Sequence, residues 1–309
     1  MLRFLSLLSA ALTLLAAANV LPRRALKNEK APEVRVIPLH LFQSHKSENR
    51  PPAEVVRTWM DASPGLSYTF LGDCEAQEYL RQRWGERYAA AHRKIAVPAI
   101  ASDFFRLCYL AKEGGFWADA DKKAGAISLR ELQYLSPGGL VLPATHCFNE
   151  SLCVWNAFMG AAPGHPAMMD AARRALERVE ASFANSSHDR DAAMSVAGPR
   201  ALASLLFEDG VTVLSTLGEI GGYAAYLPAL GESATVAEVS HVVEAHSNLH
   251  SWQNLVLTGS LYRSEGDPTP FDECVGASLA STLSGRVKRR LERDAVLIAA
   301  DGRLAQQAK

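Results

Sequence analysis

The sequence lacks most of the signatures that identify a catalytic class by themselves. It contains no P-loop, no GxGxxG or GxSxG pattern, no HExxH and no CxxC. These absences disfavour a P-loop NTPase, a Rossmann dehydrogenase, an α/β-hydrolase and a zinc peptidase. The chain also lacks internal repeats, low-complexity tracts and heptad runs, which argues against a solenoid or a coiled coil.

Net charge and cysteine are also scarce. A formal net charge of −1 over 309 residues gives no electrostatic basis for general nucleic-acid binding. Five cysteines are too few and too scattered for a disulfide scaffold, although Cys147 and Cys153 could pair across a loop in an oxidising compartment. The composition, 48% hydrophobic and 21% charged, is that of a globular protein with one large core or two small ones.

The first 22 residues are apolar, with no charge between Arg3 and Arg23. The run is just long enough to span a bilayer, and small residues at 16–18 also resemble a signal-peptide cleavage site. It therefore predicts a signal anchor in a single-pass membrane protein (Golgi-type in a eukaryote), or alternatively a cleaved signal that delivers the protein to a lumen. Basic residues after the run leave the membrane orientation open.

Beyond residue 33, strand-like and helix-like segments alternate. Strands are predicted at 34–42, 66–71, 116–120, 138–144, 153–161 and 211–215, and helices at 53–60, 98–112, 165–183, 198–209 and from about 75. This alternation predicts an α/β fold with a largely parallel sheet. The predicted organisation is a hydrophobic segment at 1–22, a linker at 23–33, one domain at 34–262, and a tail at 263–309 with a basic helix.

The stretch GGFWADADKKAG places Asp119 and Asp121 where a buried strand is predicted to end. Carboxylate oxygens suit Mg²⁺ or Mn²⁺, whose other ligands are commonly phosphate oxygens and water. The C-terminal ends of strands are also where open α/β sheets bind ligands. By itself, however, a DxD triplet recurs by chance, and it equally describes a solvated turn followed by Lys122 and Lys123.

Asp103 and Arg106 lie three residues apart, so they share one face of the helix predicted at 98–112. On a surface this ion pair would contribute at most about 0.5 kcal/mol. The neighbouring apolar residues indicate a mostly buried helix, and a buried ion pair is costly unless further partners satisfy it. Sugar hydroxyls would be such partners, because both side chains hydrogen-bond well.

The stretch ASDFFRLCYLAKEGGFWADAD resembles the sugar-binding region of the DXD-containing glycosyltransferases of family 32, such as initiating mannosyltransferases and α-1,4-galactosyl- and N-acetylglucosaminyltransferases. Five further blocks follow the order of that family: IPLHLFQSHKS, RTWMDASPGLSYTFLGD, NAFMGAAPGHP, AGPRAL and AHSNLHSW. Together the blocks cover about residues 37–252. The joint match is specific, although no single block is.

The resemblance implies a GT-A-type fold, a Rossmann-like mixed sheet flanked by helices in one domain. It also implies transfer of a sugar from a UDP- or GDP-sugar to a glycan or lipid-linked acceptor, with retention of configuration and with Mn²⁺ or Mg²⁺ as cofactor. The expected partners are therefore the nucleotide-sugar donor, the acceptor and, through the N-terminal segment, a membrane. No nucleic-acid partner is expected.

The resemblance also implies roles for individual residues. Asp119 and Asp121 would hold the metal against the donor diphosphate, with His246 as a further ligand. Asp103 and Arg106 would bind the transferred sugar. The remaining residues would contact other parts of the substrates. Ser251 and Trp252 would contact the diphosphate, and the backbone and side chains around Leu39, Leu41 and Phe42 would contact the nucleotide base. Asn156 would contact the donor or acceptor, unless it is a structural polar group of its strand.

The sequence departs from the family pattern at three positions. His45 replaces a usual Trp, His250 precedes the Ser-Trp pair, and Lys122 follows the carboxylates where an apolar residue is common. These departures bear on base stacking and acceptor identity more than on the donor-metal chemistry. Two other functions also stay open. One is a non-catalytic sugar-nucleotide or glycan-binding protein on the same fold, and the other is a zinc-dependent hydrolase built on His241, His246 and His250.

Overall fold

The computed structural model describes residues 34–44, 51–147, 151–185, 194–217 and 224–240. The chain divides into two units, Met1–Glu33 and Val34–Lys309, and every described residue lies in the second. The strands β1 to β10 are His40–Ser44, Ser67–Leu71, Gly115–Ala118, Lys122–Ala124, Leu140–His146, Leu152–Val154, Phe158–Ala161, Val211–Leu217, Ala224–Tyr226 and Thr235–Val239. The α-helices α1 to α6 are Ala53–Ala62, Asp73–Trp84, Glu86–Lys94, Pro98–Glu113, Leu129–Tyr134 and Pro166–Asn185, and Pro199–Phe207 and Pro228–Leu230 are 3-10 helices.

The described strands form one mixed sheet in the order β2-β1-β3-β7-β5-β8-β9-β10-β4, with β6 paired to β5. Three of their pairings are parallel, namely β1–β2, β1–β3 and β5–β8, and the other six are antiparallel. The predicted α/β class, a mixed sheet flanked by helices, is confirmed, but the expectation of a largely parallel sheet is wrong. Short connections, such as those between β5 and β6 and between β8 and β9, leave too little chain for the crossover that a parallel pair needs.

Hydrophobic side chains cover both faces of the sheet. Successive strand residues point to opposite faces, so Leu41 and Phe42, both fully buried, belong to different hydrophobic clusters. Helices α2, α3, α4 and α6 pack over the Phe42 face, and α1 and α5 pack over the Leu41 face. The central strands are therefore enclosed in a three-layer arrangement.

Most predicted elements are found, but three differ from the expectation. The strand expected at 34–42 is shorter and begins at His40, because Pro38 has no N–H for a ladder hydrogen bond. The segment 153–161 forms two strands, β6 and β7, separated by a turn at 155–157. The helix expected at 198–209 is the 3-10 helix Pro199–Phe207.

The cysteine pairing suggested by the sequence is present. Cys147 and Cys153 form a disulfide that connects the end of β5 to β6. Cys74 is also disulfide-bonded, and Cys108 is a buried free thiol. Within the described ranges, no helix is long and apolar enough to cross a membrane. The apolar segment at 1–22 and the predicted basic helix of the tail lie outside those ranges, so both stay predictions.

The sheet must curl to connect β3 to β4. These strands are far apart in the strand order, yet only residues 119–121 separate them in sequence. Three fully extended residues span only about 10 Å. The edge formed by β10 and β4 therefore returns to the C-terminal end of β3, and the two aspartates lie at this junction.

Candidate active site

Asp119 is the first residue after β3, and backbone hydrogen bonds hold it in place. Its N–H donates to the carbonyl of Ala157, at 2.8 Å. Its own carbonyl accepts from the Gln43 side chain and from the Lys122 N–H, both at 2.9 Å. The start of the DXD turn is thus tied to β1, to β4 and to the turn before β7, so its backbone position is determined by three parts of the sheet.

Arg106, on helix α4, binds two of the carboxylates. Its Nη2 lies 3.0 Å from Asp103 Oδ1 and 3.1 Å from Asp119 Oδ1. Its Nη1 donates to the carbonyl of Asn156, and the guanidinium lies 4.4 Å above the ring centre of Trp117. Because the Arg106 side chain is only 5% exposed, it acts mainly as an internal link between α4 and the DXD turn.

Asp103 lies beside Arg106 on helix α4, and its side chain is mostly buried. Its Oδ1 accepts a hydrogen bond from Asn156 Nδ2 at 2.9 Å, and a Cβ placed on Gly198 would lie 3.2 Å from its Oδ2. Burial raises the pKa of Asp103 to about 7, opposed by Arg106 and Asn156 and reinforced by Asp119. Near neutral pH this carboxyl can therefore donate a hydrogen bond as well as accept one.

Asp121 pairs with the lysine that follows it. Lys122 Nζ lies 2.6 Å from Asp121 Oδ1, and the two side chains are 7% and 12% exposed. The Asp121 carbonyl accepts from the N–H of Ser240, at 2.7 Å. The alternative that the DXD triplet is only a solvated turn is therefore wrong. The side chain of Asp119 is 33% exposed, which is more than that of Asp121.

The residues present fit a divalent cation in ligand type. Each aspartate has one oxygen engaged by a cationic side chain, and within the described residues the second oxygen of each accepts no hydrogen bond. Two carboxylate oxygens suit Mn²⁺ or Mg²⁺. The described residues contain no group of three His, Cys, Asp or Glu that could hold a metal. Further ligands would therefore come from a phosphate, from water or from residues such as His246.

The residues predicted to contact the nucleotide base are mostly core residues. Leu41 and Phe42 are fully buried, and the Phe42 ring lies 4.0 Å from Tyr109 and 5.0 Å from Trp117 between centres. Leu39 is half-buried. Because both faces of β1 are covered, Leu41 and Phe42 could meet a nucleotide only through the backbone. The predicted contacts through these two side chains are not supported.

Several predicted site residues lie outside the described ranges. These are His246, Ser251 and Trp252, together with His241 and His250 of the alternative zinc site. Their roles stay predictions. Asn156 is described, and it contacts both Asp103 and Arg106, which brings together two of the separate blocks of the sequence.

Two buried side chains of the site were not predicted from the sequence. Gln43 is fully buried; besides its bond to Asp119, its Oε1 accepts from the hydroxyl of Tyr68 at 2.9 Å. Trp117 Nε1 donates to Asp119 Oδ1 at 2.9 Å. A single amide within the apolar strand HLFQS is a usable signal, because buried polar groups need partners. The hydrogen bond from Trp117 to Asp119 gives no such signal in the sequence, because it depends on how the chain turns after β3.

A comparison with protein families agrees with this geometry. Residues 52–130 match the family described as "Glycosyltransferase sugar-binding region containing DXD motif". The predicted resemblance to DXD-containing glycosyltransferases is confirmed. The matched region covers about a quarter of the chain and includes Asp103, Arg106, Asp119 and Asp121. It therefore contains Arg106 and both of the carboxylates that Arg106 contacts, whereas Asn156 lies outside it.

Two solved structures of glycosyltransferases are distantly similar. "PaToxG Glycosyltransferase" shares 15% sequence identity with a TM-score of 0.41, over 56% of this chain and 70% of that chain. The glycosyltransferase GlyE of Streptococcus pneumoniae TIGR4 shares 14% identity with a TM-score of 0.35, over 57% of this chain and 45% of that chain. No curated protein matches the chain in sequence. The functional interpretation therefore depends on the family match and on the site itself.

Proposed function

We propose that the protein is a metal-dependent glycosyltransferase of the hexosyltransferase class. It would move a sugar from a UDP- or GDP-sugar to a glycan or lipid-linked acceptor. The observation that carries this proposal is the DXD pair at the end of β3, tied through Arg106 to Asp103 within the matched region. A pair of carboxylates next to a buried arginine, whose Nη1 and Nη2 both have polar partners, is an arrangement for binding a charged and hydroxylated ligand.

The roles of the residues follow from their exposure and charge. Asp119 and Asp121 would hold Mn²⁺ or Mg²⁺, which would offset the negative charge that builds on the departing nucleoside diphosphate. The Asp103 carboxyl, 14% exposed, would accept hydrogen bonds from the sugar hydroxyls. Arg106 would hold the carboxylates of Asp103 and Asp119 in position through its ion pairs. By resemblance, His246, Ser251 and Trp252 would complete the donor site.

The proposed transfer retains the anomeric configuration. The bond between the anomeric carbon and the phosphate oxygen breaks, and the acceptor oxygen bonds to the same carbon on the same face. The acceptor proton passes to the departing phosphate oxygen. An NMR spectrum of the first-formed product tests whether the configuration is retained, since an inverted anomeric linkage would contradict this proposal.

A screen of nucleotide sugars for Mn²⁺-dependent hydrolysis tests the activity. Replacing Asp121 alone would leave the Lys122 ammonium buried without its partner and would destabilise the fold. The informative variant is therefore Asp121→Asn/Lys122→Met, which removes both members of the pair. We expect the wild type to hydrolyse at least one donor, the double variant to lose that activity, and Asp61→Asn, at an exposed position of α1, to retain it.

Two outcomes would favour other functions. Binding of a nucleotide sugar without hydrolysis or transfer would favour the non-catalytic binding protein. Stoichiometric, tightly bound zinc would favour the hydrolase, for which the described residues offer no supporting cluster. For localisation, we propose the membrane anchor or the lumenal form predicted from the segment at 1–22.

A further inference from the structure

The side chain of Lys122 is an unusual feature of the DXD turn. Its ammonium lies 2.6 Å from Asp121 Oδ1 and 5.7 Å from the ring centre of Trp155, and only 7% of the side chain is exposed. A buried lysine in contact with a carboxylate is itself a bound cation. Asp121 is therefore already partly neutralised by the chain before any ligand binds.

The backbone around Lys122 is held so that this contact is preformed. The Lys122 N–H donates to the Asp119 carbonyl, and its own carbonyl accepts from Trp59 Nε1, both at 2.9 Å. Lys122 also pairs with Val239 in β10. With both backbone groups bonded, the ammonium can leave Asp121 only through rotation of its own side chain.

The next residue provides an internal comparison. Lys123 points to the opposite side of β4, as strand alternation requires, and its Nζ lies 3.1 Å from Glu238 Oε2. Its side chain is 39% exposed, and it makes no contact with either aspartate of the DXD turn. The two lysines carry the same charge at adjacent positions, but only Lys122 contacts a predicted metal ligand.

We propose that Lys122 is a built-in counter-cation that competes with a divalent metal for Asp121 and thereby sets the metal affinity of the site. This inference rests on the proposed function, because it assumes that the DXD carboxylates bind a metal. Like charges at close range repel strongly where the side chains are shielded from water. An incoming cation must therefore displace the ammonium or bind beside it. Negative charge brought by a nucleoside diphosphate would relieve this repulsion, so the metal would bind more tightly together with the nucleotide.

Direct measurement of Mn²⁺ binding tests the inference without using activity. Free Mn²⁺ is followed by electron paramagnetic resonance while the full chain is titrated in the absence of nucleotide. We expect Lys122→Met to bind Mn²⁺ at least about tenfold more tightly than the wild type, because a like charge has been removed. Lys123→Met removes the same charge one residue away, and we expect its affinity to stay within about twofold of the wild type.

Further variants separate competition from a loss of structure. Lys122→Arg keeps the charge and should retain the weak binding of the wild type, whereas Lys122→Gln is a second neutral variant should Lys122→Met not fold. In Asp121→Asn/Lys122→Met the tighter binding should disappear, because the carboxylate is gone. Thermal melting of each variant shows that the compared proteins are folded.

Mn²⁺ binding by the neutral Lys122 variants can overturn the inference. If folded Lys122→Met and Lys122→Gln bind Mn²⁺ no more tightly than Lys123→Met, Lys122 does not compete for the site. Mn²⁺-dependent donor hydrolysis by the wild type would still support the proposed function in that case. If no variant binds Mn²⁺ at all, the inference also fails, and donor hydrolysis in the presence of a chelator then shows whether the transferase assignment survives without a metal.

Discussion

At the scale of single residues, the site contains more negative than positive charge. Arg106 contacts Asp103 and Asp119, and Lys122 contacts Asp121, so three carboxylates face two cations. One carboxylate therefore remains uncompensated when all are ionised. Burial is the main cause of the raised pKa of Asp103, and the negative charge of Asp119 raises it further. The same excess of negative charge attracts a further cation to the site.

The raised pKa of Asp103 predicts a pH-dependent stability. The folded-state pKa is about 7, against 3.8 for the free side chain, so between about pH 4 and pH 7 the folded protein holds a proton that the unfolded chain releases. The resulting stabilisation is complete below about pH 4 and is lost as the pH rises through about 7. Relative to Asp103→Asn, which cannot titrate, the wild type should lose on the order of 1 kcal/mol per pH unit in this window.

Urea denaturation of both proteins at several pH values from about 5 to 8 measures this difference. Contributions from titrating groups remote from Asp103 are common to both proteins and cancel in the comparison. A difference in the free energy of unfolding that stays constant with pH would show that Asp103 is ionised throughout, held so by Arg106.

At the scale of elements, helix α4 and strand β3 form the unit that builds the site. Helix α4 carries Asp103 and Arg106, and β3 leads directly to Asp119. Gly114 connects the two with a positive φ of 66°, which L side chains rarely adopt. The turn at this glycine therefore decides how the arginine of the helix meets the carboxylate at the end of the strand.

The turn predicts unequal effects of two matched glycine substitutions. A Cβ on Gly114 would lie 2.6 Å from the nitrogen of Pro163 and 2.8 Å from the carbonyl oxygen of Ala161. Gly85 also ends a helix with a positive φ, but a Cβ there would meet nothing within 4 Å. Because ψ lies near 180° at both glycines, a combination with positive φ that is essentially restricted to glycine, Gly85→Ala should cost about 1–3 kcal/mol from backbone strain alone. Gly114→Ala should cost about 1–3 kcal/mol more than Gly85→Ala because of the overlap. Equal losses in urea denaturation would contradict the proposed tight approach of the backbone at Gly114.

The boundaries of these elements could be predicted because their signals are local. Pro98 suits the first turn of a helix and Gly114 its end, and α4 begins and ends at these positions. The pairing directions of the sheet could not be predicted in the same way. They depend on which distant segments meet, and periodicity within a strand carries no information about its partner.

At the scale of the whole molecule, the curl of the sheet creates the site. It brings the β10–β4 edge to the end of β3, so that Asp121 accepts from Ser240 while Asp119 is held by Gln43 from β1. Residues nearly 200 positions apart in sequence thus meet at one turn. Closure of this kind excludes water from the buried side of the carboxylates, and it strengthens the charge interactions there.

The segment at 1–22 predicts the behaviour of the full-length chain in cells. We expect the full chain to sediment with membranes and to need detergent for extraction, because its apolar run is long enough to span a bilayer. A variant that lacks these residues should stay in the supernatant. Mass spectrometry of the mature N-terminus distinguishes the anchor from a cleaved signal, and sedimentation of the truncated variant to the same extent would contradict both forms of the prediction.

The sequence by itself determined which groups the candidate site offers: two carboxylates after a buried strand, a helical Asp–Arg pair before them, and blocks that resemble those of a glycosyltransferase family and follow its order. Those features are local in the chain, and local patterns can be read without coordinates. Only the tertiary structure decided how the charges are paired. It joined Arg106 to both Asp103 and Asp119, and it buried Lys122 against Asp121. Such pairing depends on burial and on distances of a few ångströms between separate elements, because the strength of a charge interaction is set by its surroundings as much as by its partners.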